Sequence, residues 1–152
     1  MIQRIQTLYL LLATALMSLT LFLPLATILQ GGNELIVKAF TLSGVEGVEG
    51  SLPLYLGVLL AITTALLLVI VFLYKRRLLQ IRLCVSAIVL LLGSATLIGL
   101  YCYRLCDILA GESIFTLGFA SLMPVVAIIL VALAIRGIAR DEALVRSLDR
   151  IR

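Results

Sequence analysis

Residues 53–74 read PLYLGVLLAITTALLLVIVFLY, with no Asp, Glu, Lys or Arg, and KRR follows at once at 75–77. A helical run of about 20 apolar residues matches the hydrocarbon thickness of a bilayer. Inside lipid, only a helix or a closed barrel satisfies every backbone polar group. The stretch shows no period-2 alternation, so it reads as a transmembrane helix ending in a cluster of cations. Three more runs without charge lie at about 7–30, 83–103 and 115–135. The expected fold class is therefore all-α: a four-helix integral membrane bundle forming one domain over 1–152, with an outer loop at 31–52 and a tail at 137–152.

Composition points the same way. The 152 residues are 63% hydrophobic and 13% charged, with a mean hydropathy of +1.25. A soluble domain is nearer half apolar and a quarter charged, and four spans leave no length for a separate soluble domain.

The charges partition by side. Four spans put both termini and the 75–82 connection together. That side carries Arg4, Lys75, Arg76, Arg77, Arg82, Arg136, Arg140, Arg146, Arg150 and Arg152 against Asp141, Glu142 and Asp149, a sum of +7. The other side carries Lys38 and Arg104 against Glu34, Glu46, Glu49, Asp107 and Glu112, a sum of −3, and together these give the net +4. The positive-inside rule then predicts both termini in the cytoplasm. The positive residues flank spans, so they read as topology signals and contacts to anionic lipid headgroups, not as a nucleic-acid surface. The first apolar run is too long for a signal-peptide core and lacks a small-x-small cleavage motif, so it is expected to be a retained helix.

Within the outer loop, Leu35 to Leu42 leans toward β structure and is bracketed by Gly31-Gly32-Asn33 and Ser43-Gly44. That pattern predicts a short strand or hairpin, with an irregular loop as the alternative. Pro24 stands near the outer end of the first span, where it either kinks the helix or marks its end. Small residues at Gly57, Ala61 and Ala65 in the second span, and at Ala95 and Gly99 in the third, predict seams of close helix packing. Such a seam serves packing within the chain or between two copies in a homo-oligomer. In the tail, Leu144, Leu148 and Ile151 recur at helical spacing, with acids opening and arginines closing the segment. This predicts a short amphipathic cytoplasmic helix beyond the last span, in which Glu142 and Arg146 pair at i,i+4.

Chemistry is sparse. There is no His, the usual general base and metal ligand. No acid or base stands at mid-span, where coupled transporters carry one. Cys84, Cys102 and Cys106 form an odd set, and Cys102 and Cys106 are spaced i,i+4, which suits a disulfide poorly. Tyr55, Tyr74, Tyr101 and Tyr103 read as interfacial anchors. No catalytic residue, metal or cofactor is expected.

Polar complexity gathers instead at the cytoplasmic end. Gln3, Arg4, Gln6, Arg76, Arg77, Arg82, Arg140, Asp141, Arg146, Asp149 and Arg150 come from three separate segments that meet there. Topology alone requires a few cations, not interspersed Gln and Asp. The expected function is a non-enzymatic accessory or scaffold subunit that docks a partner protein of a membrane complex, or anionic lipid, through this face. Two alternatives are kept. One is a small transporter or channel component using Thr63, Thr64, Ser94, Thr96 and Ser121. The other is a membrane thiol redox protein using Cys102 and Cys106.

The opening Met-Ile-Gln-Arg-Ile-Gln-Thr-x-Tyr (1–9) and the ending Asp-Glu-x-Leu-Val-Arg-Ser-x-Asp-Arg-Ile-Arg (141–152), with four spans between them, resemble a family of small inner-membrane proteins of Bacteroidota catalogued as domain of unknown function 4293. The resemblance extends over the whole chain in layout and implies a cell-envelope location without an assigned activity.

Overall fold

The computed structural model describes residues 2–30, 33–43, 53–74, 76–108 and 113–149; the side chains of 2–4, 30, 33, 42, 43, 53, 106, 108, 113 and 145–149 fall outside that description.

The first helix, α1 (Ile2–Phe22), stops well short of residue 30. Its last turn closes with Leu23 N–H donating to Leu19 O at 3.0 Å. Pro24 then supplies no N–H and pushes Leu23 out of the helical region. The chain continues as a strand, β1 (Ala26–Gln30), which returns as β2 (Asn33–Val37) and the two-residue β3 (Leu42–Ser43). A fourth strand, β4 (Ser113–Leu117), precedes the last helix. The antiparallel sheet has the order β3-β2-β1-β4, with Ile28 opposite Leu35 on one side and Phe115 on the other.

The all-α expectation is thereby corrected: the chain is mostly helical, with a small sheet built from residues assigned to the first and fourth spans and to the loop. An uncharged apolar stretch is compatible with either a helix or a buried strand. In β1 the inward residues are Ala26 and Ile28, with Leu29 outward; in β2 Leu35 and Val37 are buried while Glu34 is exposed. This alternation is what a half-buried strand requires. The predicted strand in the 31–52 loop is present as β2, while residues 44–52 lie outside the described residues.

The remaining helices are α2 (Pro53–Phe72), α3 (Arg77–Ile108) and α4 (Met123–Asp149), the last entered through a 3₁₀ turn at Phe119–Leu122. Pro124 sits in the first turn of α4, where its missing N–H costs nothing. Two boundaries differ from expectation. The third helix begins at Arg77, so most of the 75–82 connection is helical, and the tail to Asp149 continues α4 instead of forming a separate short helix. At 32 residues α3 is about 48 Å long, well beyond the roughly 30 Å of a hydrocarbon core.

The helices pack in a ring, each on its sequence neighbours, with α4 closing back on α1. Their buried faces follow one stagger. It reads Gln6, Leu10, Ala13, Met17, Thr20 on α1; Leu56, Leu60, Thr63, Leu67, Ile70 on α2; Gln80, Cys84, Ala87, Leu91, Ser94, Ile98 on α3; and Ala127, Val131, Ala134, Ile138 on α4. Alternating steps of four and three keep a stripe facing its neighbour, as in left-handed bundles. The predicted seams are found only in part: Gly57 is buried, and a Cβ there would run into the Phe40 ring and Ala39 O, while Ala65 and Gly99 are exposed, and a Cβ at Gly93 or Gly99 would meet nothing within 4 Å. The small residues on the buried stripes are Ala13 on α1, Ala87 on α3, and Ala127 and Ala134 on α4, all fully buried. Ala134→Leu is therefore expected to cost about 1–3 kcal/mol through overpacking. Maleimide labelling of buried Cys84 during thermal unfolding in detergent measures it, and an unshifted transition would refute the close contact.

Only 28–33% of each apolar helix window is buried inside the bundle. The outward faces are apolar as well, carrying Leu8, Leu11 and Leu19 on α1, Ile62 on α2, Val89 on α3 and Ile129 on α4. All four helices are thus long and apolar enough to cross a membrane.

Candidate functional site

At the end of the bundle away from the sheet, the buried stripes finish in polar groups. Gln6 and Gln80 are 9% and 6% exposed. A buried amide needs partners, and each has one. Gln6 Nε2 donates to Asp141 Oδ2 at 2.9 Å, tying α1 to α4. Gly137 stands one turn before Asp141, and a Cβ there would come within 2.8 Å of Gln6 Cγ, so the glycine makes room for the amide. Gln80 Nε2 donates to Ile70 O at 3.3 Å, a carbonyl in the last turn of α2 that also accepts from Leu73 N–H at 3.2 Å.

The turn between α2 and α3 is tight. Arg76 N–H donates to Leu73 O at 3.1 Å, and Gln80 N–H donates to Arg76 O at 2.9 Å, so Arg76 caps the start of α3. That cap aims Arg76 outward and sets half-buried Arg77 beside the bundle. Two cavities flank Tyr74. One, of about 340 Å³, is lined by Gln6, Thr7, Leu8, Leu11, Tyr74, Arg77 and Gln80. The other, of about 520 Å³, is lined by Phe72, Leu73, Tyr74, Arg76 and Leu79.

The predicted docking residues are therefore divided. Gln6 and Asp141 meet directly, and Gln6 and Arg77 share a cavity. Arg76 lines the second cavity, while Arg82 and Arg140 are exposed on α3 and α4. The side chains of Gln3, Arg4, Arg146 and Asp149, and all of Arg150, lie outside the described residues. Sequence reasoning did not single out Gln80 or Gly137. Gln80 carried a signal, since its spacing to Cys84, Ala87 and Leu91 places an amide on a buried face.

The hydroxyls considered for a neutral pathway bond within their own helices or turns. Thr63 donates to Leu59 O, Thr64 to Leu60 O, Ser94 to Leu91 O, Thr96 to Leu92 O and Ser121 to Gly118 O. This is the usual way such groups are accommodated in apolar helices. Cys84 and Cys102 are buried thiols, and the side chain of Cys106 is outside the described residues. No cluster of three or more metal-ligating side chains occurs among the described residues.

The fold and this end together define a class: a four-helix protein with spans of membrane-crossing length, capped by a small sheet at one end and by a polar, arginine-bearing layer at the other. Over residues 2–151 the chain matches the family described as Domain of unknown function (DUF4293), and it belongs to that family. No curated protein matches it.

Proposed function

We propose that the chain is a multi-pass protein of the bacterial inner membrane, with both termini and the α2–α3 turn in the cytoplasm. In this reading it works as a non-enzymatic accessory subunit that docks a partner protein through its basic end. The apolar outer faces support insertion, and the Lys/Arg excess at one end supports the orientation. The docking reading rests on one observation above all: the Gln6–Asp141 hydrogen bond at 2.9 Å. It holds the first turns of α1 against the last turns of α4, beside the arginines of the α2–α3 turn. Two segments remote in sequence are thereby joined, with Arg77 of a third on the same cavity as Gln6, more than orientation in a membrane demands.

The test is a mild-detergent pull-down of the chain tagged in the 31–52 loop, read by cross-linking mass spectrometry through Lys75. A single defined protein is expected in stoichiometric amount. Replacing Arg146, Asp149 and Arg150 together by Ala is expected to lose that protein while leaving membrane insertion intact. Undiminished recovery from the triple variant would refute docking through this face. Recovery of the chain alone with lipid would transfer the weight to a transporter or channel component.

A further inference from the structure

The cavity of about 340 Å³ beside Arg77 has an unusual division of its walls. Toward the end of the bundle it is polar: Gln6, Thr7, Tyr74, Arg77 and Gln80. Its remaining wall is Leu8 and Leu11, which are 55% and 52% exposed and belong to the outward apolar belt of α1. Among the described residues, one guanidinium and no carboxylate lie in the lining, and the Asp141 carboxylate beside it is engaged by Gln6 Nε2. The complementary ligand carries a single negative charge at one end and hydrocarbon at the other. Its volume lies at the lower end of the range for small-molecule sites, which suits a headgroup with its chains left outside.

Depth agrees with this ligand. Arg77 opens a helix about 48 Å long, so the first turns of α3 project past a roughly 30 Å hydrocarbon core to headgroup level. Arginine is also suited to phosphate, because its planar fork offers two parallel donors. We propose that this cavity binds the headgroup of a monoanionic glycerophospholipid from the surrounding bilayer, with the phosphate on Arg77 and the acyl chains running down over Leu8 and Leu11. The proposal rests on the membrane-spanning reading above, but not on the partner protein. It makes Arg77 a ligand contact and leaves exposed Arg76, Arg82 and Arg140 to the docking surface.

The test is native mass spectrometry of the detergent-purified chain titrated with phosphatidylglycerol or phosphatidylcholine. Alkaline extraction of vesicles containing the chain is run alongside it. One phosphatidylglycerol is expected to be retained about tenfold better than phosphatidylcholine, and Arg77→Gln is expected to remove that preference, in keeping with loss of a charge-assisted contact. Arg136→Gln removes the same charge from an exposed position on α4 that does not line the cavity, and should change retention less than about twofold. Leu11→Trp, which fills the cavity without changing charge, should also abolish retention. Equal losses in Arg77→Gln and Arg136→Gln would show diffuse surface attraction and overturn the site. Displacement of the lipid by millimolar inorganic phosphate would overturn the lipid as its ligand. A chain that resists alkaline extraction yet shows no preference defeats the cavity proposal alone; one released by alkali defeats the spanning reading and the proposal with it.

Discussion

Gly118→Ala is expected to destabilise the fold strongly, because the methyl group it adds meets backbone. The backbone at Gly118 has φ −71° and ψ 146°, an extended conformation open to every residue, so the cost is one of space. A Cβ there would run into Pro24 O and come within 2.8 Å of Leu25 O, both backbone atoms with little freedom to move. Gly118 N–H also donates to Leu25 O at 2.9 Å, joining the exit of α1 to the start of the turn that leads into α4. Overpacking of about 1–3 kcal/mol and a weakened hydrogen bond of about 1 kcal/mol give an expected loss of about 2–4 kcal/mol. Gly99→Ala serves as the contrast, because nothing stands within 4 Å of its Cβ. In mid-helix it should gain about 0.5–1 kcal/mol from propensity. Thermal exposure of Cys84 in detergent reads both, and similar shifts for the two variants would show that the crossing at Pro24 is not tight.

Gln6→Ala is the second large effect. It removes the donor to half-buried Asp141 and leaves an unfilled space against Gly137, at an expected cost of about 1–3 kcal/mol. A double-mutant cycle of Gln6→Ala with Asp141→Ala separates the pair from its surroundings. Coupling of about 0.5–2 kcal/mol is expected for two groups in direct contact, and strict additivity would mean that the contact contributes nothing to holding α1 on α4. The same loss should loosen the basic end. Cross-linking of a partner through Lys75 is then expected to fall in Gln6→Ala even though no arginine has been touched.

The four helices were legible because each contributes a stretch that water alone could not tolerate. The sheet was not, since absence of charge registers exclusion from water without specifying the backbone. Ala26–Gln30 and Ser113–Leu117 are too short to declare a period, and they sit against long apolar runs that absorb them. Pro24 was the available signal, as a residue that can end a helix as well as bend it. Small residues at i,i+4 misled for a related reason. Packing in this bundle follows steps of four and three, which selects Ala127 and Ala134 over Ala61 and Ala65. The basic end was legible from charge, but the contact that organises it was not: Gln6 and Asp141 are 135 positions apart, and nothing local to either marks the other.

The sheet also imposes an order on assembly. β1 receives β2 from a neighbouring stretch, but its other edge is filled by β4, pairing Gln30 with Ser113. The chain between those residues holds all of α2 and α3. At ribosomal speeds of about 5–20 residues per second, it takes roughly 4–17 s to make. Throughout that interval the β1–β2 hairpin carries an open edge, and the bundle has no α4 against which to close α1. The seal at the sheet end and the lock at the basic end therefore come late, both delivered by the last third of the chain. A ribosome that stops before residue 113 leaves a three-helix precursor in which β1 lacks its β4 partner.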